Sequence, residues 1–425
     1  MTSPAAGARG AVRTVRSSVD FTPQERRILL PLGLAGFFET YDVALLTLAA
    51  PVLAAGLGVS IAAFGVGVAI IRLASLGSVP VLRLADRWGR RTLLLISLGM
   101  FTLATGMTSL AWGLVAFVLL QVVARVFLAT ESALASLVIA EELRPHRRGA
   151  GISLLGLVSG VGFGAVGGLM LLVPLTPLDW RVLYLAALLP LGIVAYLRRN
   201  LRETRAFLVA REQRRVQRSL WPKIERVHRC SLIRITAIVS AFGLVQTSGF
   251  FYAADLAQNT FGWSVLFTTI VITAGVFGIL GFYLGGRVSD RVGRKPMVSV
   301  GVILVAAGTL LMFTEMPGLF IPGFFLSAAG SACFLAVTLA YLAELFPTEI
   351  RATLTSLVIS CQVAAGSVGL VLLGALSGIV SPSLLLFVGG AALTGSLVFL
   401  RGLPEVRGCD VIGVARPGSL ALSHT

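Results

Sequence analysis

The chain has 425 residues, 56% of them hydrophobic and only 13% charged, with a mean hydropathy of +0.92. A soluble domain is about 45–50% apolar and about 25% charged, so this composition excludes a water-soluble globule and points to a polytopic membrane protein. The net charge of +16 would suit nucleic acid. The cations, however, sit in short loops between apolar runs, with no aromatic-interleaved basic stripe or nucleic-acid motif, which sets that class aside.

Residues 1–27 are polar and basic and read as a disordered cytoplasmic tail. Twelve apolar spans follow, at 28–55, 61–82, 92–110, 113–140, 150–173, 181–199, 232–256, 263–286, 297–314, 318–342, 353–377 and 383–401. Each is long enough for the ~20 residues that a bilayer helix needs. Span 1 is too long for a signal-peptide core. The predicted fold is therefore all-α, with a bundle of six transmembrane helices at 28–199 and another at 232–401. Between them lies a basic cytoplasmic linker at 200–231, and a second cytoplasmic tail occupies 402–425. In span 5, Gly156, Gly160, Gly164 and Gly168 put a glycine on one helix face every turn, a face suited to close helix packing.

Of the 35 Lys and Arg, 32 fall in the tails and loops on one side of this topology, Arg72 and Arg125 lie within spans, and Arg181 alone lies on the other side. Positive charge marks the cytoplasmic side, so both termini are expected there, in a multi-pass protein of the cell (inner) membrane. Basic residues along the linker suit anionic lipid at that face, each contributing about 1 kcal/mol. Cys230, Cys333, Cys361 and Cys409 show no pairing or metal spacing, and His146, His228 and His424 are far apart. Reduced thiols, no metal, no cofactor and a monomer are the expectation.

Two phrases recur in step. Asp86-Arg87-Trp88-Gly89-Arg90-Arg91 returns as Asp290-Arg291-Val292-Gly293-Arg294-Lys295, 204 residues later. Glu142, Pro145 and Arg148 return as Glu344, Pro347 and Arg351, 202 or 203 residues later. The chain thus reads as one six-span unit duplicated in parallel. Each first phrase is a glycine turn joining two helices at the cytoplasmic surface. Its Asp can face a helix N-terminus of the opposite half, and its Arg groups can pair with acids such as Glu142 and Glu344. Bonds of that kind would form a cytoplasmic gate; setting topology is the simpler alternative, but it requires neither Asp nor Gly.

Six spans, a linker and six more spans resemble the major facilitator superfamily over about residues 28–401. The turn after span 2 is similar to that family's G-x-x-x-D-R-x-G-R-R/K signature, with Leu82 in the first glycine position. The second copy is complete, with Gly286, Asp290, Arg291, Gly293, Arg294 and Lys295. The Glu-Pro-Arg loops resemble those of the sugar-porter and metabolite:proton-symporter branches. Glu203-Thr204-Arg205 resembles their P-E-[ST]-x-R phrase without its proline. The resemblance implies a secondary carrier with two pseudo-symmetric bundles rocking about a central cavity.

Charges inside spans are expensive, about 2.5–3.5 kcal/mol each at the bilayer centre, and so are functional candidates. They are Glu39 and Asp42 in span 1, Arg72 in span 2, and Arg125 and Glu131 in span 4. At about 1.5 Å per residue, Glu39, Arg72 and Arg125 fall near the midplane, with Asp42 one turn from Glu39 and Glu131 nearer the cytoplasm. Glu39-Thr40-Tyr41-Asp42 looks like the D-G-Y-D phrase of metabolite symporters, which implies that Asp42 accepts the proton and Arg125 is its counter-charge. A static ion pair that only orients helices is the alternative.

Candidate substrate contacts are Arg72 and Tyr41, with Gln246, Thr247, Ser248 and Tyr252 in span 7 and Gln362 and Ser367 in span 11. Gln246-x-x-Gly249 is similar to a sugar-porter phrase, but Phe251 and Ala253-Ala254 replace the Asn and paired Tyr expected there. Arg72 and the span 1 phrase favour a small organic acid moved by proton symport. The antiporter phrase G-P-x-x-G-G is absent from Gly164–Gly168, which weighs against drug:proton efflux. No G-x-S-x-G, H-E-x-x-H or P-loop supports an enzyme, and no filter-like segment supports a channel.

Overall fold

A computed structural model describes residues 23–142, 148–198, 226–346 and 348–405, and every element among them is helical. The predicted tails at 1–22 and 406–425 and most of the linker lie outside the described residues. All twelve predicted spans coincide with a helix or with a helix interrupted once. Nine are single apolar stretches long enough to cross a membrane, and span 1 adds a bent pair. Span 6, Arg181–Arg198, has basic residues at both ends, and span 8 is cut in two.

Span 1 begins at Pro23 and span 7 at Arg226, about a turn ahead of their apolar cores. A helix continues into water without penalty because water satisfies its free N–H groups, so hydropathy marks only the buried part. Span 1 breaks after Thr47 and resumes as Ala50–Gly56 at an angle of 62°. Pro51 lies in the first turn of the second piece. It lacks an N–H, and its ring excludes the carbonyl four residues earlier.

The duplication extends to local geometry. Ser60 and Ser264, 204 residues apart, each accept a hydrogen bond at 3.2 Å from the N–H three residues on, starting spans 2 and 8. Span 2 then runs Ile61–Ala74, a 3-10 turn at Ser75–Gly77, and Ser78–Trp88. Span 8 runs Val265–Ala274, a 3-10 turn at Gly275–Gly278, and Ile279–Val292. Pro80 explains the first interruption. In the second, Gly275 and Gly278 pack directly on Phe324 and Ala328 of span 10. Gly89 (φ 96°) and Gly293 (φ 116°) then turn the chain into spans 3 and 9 in the left-handed region that favours glycine.

The bundles meet mainly at the ends remote from these glycine turns. Span 2 packs on span 11 through Ile61–Ala74, with Gly374 against Ala62 and Val66. Span 5 packs on the first part of span 8, with Gly167 against Thr273. One apolar core spans both bundles, joining Phe64 and Phe117 to Phe251, Phe313 and Leu373. Among the described residues, a second core towards the glycine turns is built from the C-terminal bundle alone.

Candidate functional site

Asp42 and Arg125 meet inside the N-terminal bundle. Arg125 Nη1 donates to Asp42 Oδ2 at 3.1 Å, and the two side chains are only 13% and 6% exposed. Two ions here stand free of most solvent, so each depends on the other for compensation. Glu39 and Arg72 lie within electrostatic reach of Asp42. The predicted four-residue cluster is thus brought together, with one difference. Glu39 makes no ion pair among the described residues, and neither does Arg72. Glu131 is fully buried in span 4, six positions beyond Arg125 towards the glycine turns.

Arg72 occupies the last turn of the first piece of span 2 and reaches across to the other bundle. Its Nη2 donates to Thr247 Oγ1 at 3.2 Å. Its Nε is buried and has no partner among the described residues. Arg72 and Thr247 both line a cavity of about 300 Å³ between the bundles. Thr47, Gln246, Phe163, Phe250 and Phe324 also line it, the last two rings standing edge-on at 5.4 Å.

Of the predicted substrate contacts, Arg72, Gln246 and Thr247 line this cavity, whereas Tyr41, Ser248, Tyr252 and Gln362 do not. Tyr41 donates its hydroxyl to the Leu183 carbonyl at 2.5 Å and stacks on Phe37. One residue of helix rotation, about 100°, separates it from Asp42, so the two face different neighbours. Ser248 and Gln362 pack in the seam of spans 7 and 11, against Gly369 and Gly243. Ser367, also fully buried, bonds the Val363 carbonyl in its own helix. Tyr252 stands against Phe251 at 5.2 Å, with its hydroxyl towards Gly65. Thr47, Phe163, Phe250 and Phe324 escaped the sequence reading. Apolar lining carries no signal in a chain whose lipid-facing residues are equally apolar.

Among the described residues, the second copy of the expected gate bonds within its own bundle. Arg294 bonds Glu344 through Nε at 3.1–3.2 Å and Nη2 at 2.6 Å, bonds Ser289 at 2.5 Å, and pairs with Asp290 at 2.7 Å. All of these partners belong to the C-terminal bundle. Asp290 faces Arg294 rather than a helix of the opposite half, because packing between the bundles is concentrated at the other end. Arg291 is exposed, Lys295 partly so, and Gly286 stands in open space. Arg91 is exposed and engaged in an interaction. Side chains of Asp86, Arg87, Arg90, Glu142, Arg148 and Arg351 lie outside the described set.

A residue absent from the sequence reading completes this end. Glu405, beyond span 12, accepts from the backbone N–H of Arg294 at 2.6 Å and of Lys295 at 3.3–3.4 Å. It caps span 9, where the helix dipole favours an anion. Tyr341 donates to the Pro404 carbonyl at 2.6 Å, and Arg234 bonds the Gly402 carbonyl. Pro404-Glu405 is the proline-acid pair sought after span 6, and Glu405-Val406-Arg407 lies 202 residues after Glu203-Thr204-Arg205.

The profile of the Major Facilitator Superfamily matches residues 32–290 and 236–411. The chain belongs to this superfamily. It is 24% identical over 365 residues to the "Probable 4-methylmuconolactone transporter" of Cupriavidus pinatubonensis, covering 84% of this chain and 85% of that protein. The sialic acid transporter NanX of Escherichia coli K12 is 22% identical over 397 residues, 89% of this chain and 94% of its own. Among solved structures, the inward open xylose transporter XylE from E. coli aligns with a TM-score of 0.72 and 18% identity, over 90% of this chain and 97% of that one. The protein is accordingly a multi-pass membrane transporter, and its relatives are carriers rather than enzymes.

Proposed function

We propose that this carrier moves a small organic acid together with protons by alternating access. The buried Asp42–Arg125 pair carries the reading, with Val43, next to Asp42 in sequence, in the cavity wall. Arg125 keeps its charge at any physiological pH, whereas a desolvated carboxylate can be neutral. A proton on Asp42 removes the anion that holds Arg125. The freed guanidinium then seeks another acceptor, and the preferred arrangement of spans 1 and 4 changes with it. In this reading Glu39, one turn away, and Glu131, deeper in span 4, hand protons along the bundle.

Arg72 supports the acid half of the reading. It is a cation in the cavity wall with no carboxylate partner among the described residues, and a buried cation is stabilised by an incoming anion. Loop charge supports an inner-membrane orientation with both termini cytoplasmic. On that orientation the shared core closes the outer side, and the Arg294–Glu344–Glu405 cluster stays within its own bundle while the inner side is open. Anionic lipids suit the basic surfaces of that side, and one chain is a sufficient working unit.

Purified protein in vesicles, given labelled organic acids with and without an imposed pH gradient, tests this. Asp42→Asn is expected to abolish accumulation against a gradient while retaining counterflow exchange. Normal uphill uptake by that variant would remove the coupling role. Proton-driven movement in the opposite direction would replace symport by antiport.

A further inference from the structure

We infer that the cavity selects a monocarboxylate with a compact apolar body, of the benzoate kind, and that Arg72 and Thr247 clamp its carboxylate from opposite bundles. This rests on the organic-acid reading above and narrows it. The wall divides sharply by chemistry. Arg72, Thr47, Gln246 and Thr247 are its polar members. Phe163, Phe250 and Phe324 dominate the remainder, which contains no acidic residue among the described residues.

Charge counting sets the valence. Arg125 is paired with Asp42 at 3.1 Å, and Arg72 is the one cation among the described lining residues, in ion-pair contact with no carboxylate among the described residues although Asp42 is within electrostatic reach. A second carboxylate on the solute would be buried against phenyl rings, an unpaired charge that the site cannot compensate. A polyol fares little better, because four polar side chains cannot satisfy its hydroxyls. An ammonium group at the far end of the solute would meet no acidic residue among the described lining residues. About 300 Å³ lies at the small end of ligand sites, about 300–1,000 Å³, and suits a single ring. The edge-on pair Phe250 and Phe324 offers a face and an edge to that ring.

The clamp follows from a bond already present. Arg72 Nη2 donates to Thr247 Oγ1 across the gap, and Arg72 Nε has no acceptor among the described residues. One carboxylate placed there accepts from the Arg72 guanidinium, whose Nη2 already faces Thr247, while Thr247 turns its hydroxyl from acceptor to donor. Arg72 belongs to the first bundle and Thr247 to the second, so the same anion ties both.

Isothermal titration of the purified full-length carrier with benzoate, succinate, glycine betaine and glucose reads this without any gradient. Benzoate is expected to bind at least tenfold more tightly than the other three. Arg72→Gln should lower benzoate affinity about 10- to 100-fold, since charge-assisted paired bonds are at stake. Arg72→Lys, which keeps the charge, should recover part of it, and Phe250→Ala should weaken benzoate severalfold. Equal binding of succinate or betaine, or benzoate affinity unchanged in a folded Arg72→Gln protein, overturns the inference. If Arg72→Gln fails to fold, the Phe250→Ala and Arg72→Lys titrations decide alone, and unchanged affinity in both overturns it. Benzoate that binds as expected but is never driven by a pH gradient would instead refute proton coupling and leave the clamp standing.

Discussion

The two bundles share one plan and differ in charge. At the 204-residue offset of the first repeated phrase, Asp42, Arg72 and Arg125 of the first bundle correspond to Gln246, Val276 and Ala329 of the second, all neutral. Gln246, in the place of Asp42, lines the cavity. Backbone features such as the serine caps, the 3-10 interruptions and the glycine turns are kept in both copies. The titratable pair is kept in one. A switch in a single bundle needs no matching event in its twin, and the neutral bundle can serve as a wall against which the charged one changes state.

Making the first bundle as neutral as the second should have the largest effect, and the route matters. Arg125→Gln alone strands a buried Asp42, and breaking such a pair costs about 3–5 kcal/mol. A steep loss of thermal stability in detergent is expected. Asp42→Asn combined with Arg125→Gln removes both ions and should restore most of that stability while leaving proton-driven uptake absent. If Arg125→Gln melts like the parent protein, the pair is not the electrostatic hinge of the bundle.

What the sequence made legible follows from what is costly. A charge in a bilayer is expensive wherever it sits, so Asp42, Arg72 and Arg125 stood out before any coordinates. Twelve spans and two glycine turns were equally plain, because apolar length and φ-demanding glycines are local properties. Partner choice is not local. Arg294 could have paired across the bundles, and which acid it meets depends on how the bundles are packed. Tyr41 was singled out through the D-G-Y-D-like phrase that it shares with Asp42, although a helix turns neighbours about 100° apart. Span 8 breaks without a proline, and Gly275 gives no warning until Phe324 is seen against it. Glu405 was missed because hydropathy ends the bundle at residue 401, yet its three-residue phrase repeats that of Glu203.

Intermediate effects are expected where the bundles touch. A Cβ on Gly167 would lie 2.2 Å from Thr273 Oγ1, whereas one on Gly374 would lie 3.1 Å from the Ala62 carbonyl. Overpacking of this kind costs about 1–3 kcal/mol, and here it acts only on the state in which these surfaces meet. Gly167→Ala should therefore shift the carrier towards opening at this end, read as a longer distance between spin labels on spans 5 and 8. Gly374→Ala should shift spans 2 and 11 less. Pairing Gly167→Ala with Thr273→Ala, which removes the opposing hydroxyl, should return the distance towards the parent value. An unchanged distance in Gly167→Ala would mean that this seam does not limit closure.

The smallest effect belongs to the cap on span 9. Losing a helix cap costs about 0.5–2 kcal/mol, of which the dipole interaction of the charge is about 0.3–1 kcal/mol. Glu405→Ala should lower the melting temperature modestly, and Glu405→Gln, which keeps the acceptors, should lower it less. Gly293 ties the prediction to geometry, because a Cβ there would come within 2.8 Å of the Glu405 carboxylate. The repeat then permits a direct comparison of the copies. If both use this phrase alike, Glu203→Ala produces a drop matching that of Glu405→Ala, and the double variant sums the two. A drop confined to Glu405→Ala would mean that the copies diverged in how they hold their glycine turns as well as in where they keep their charge.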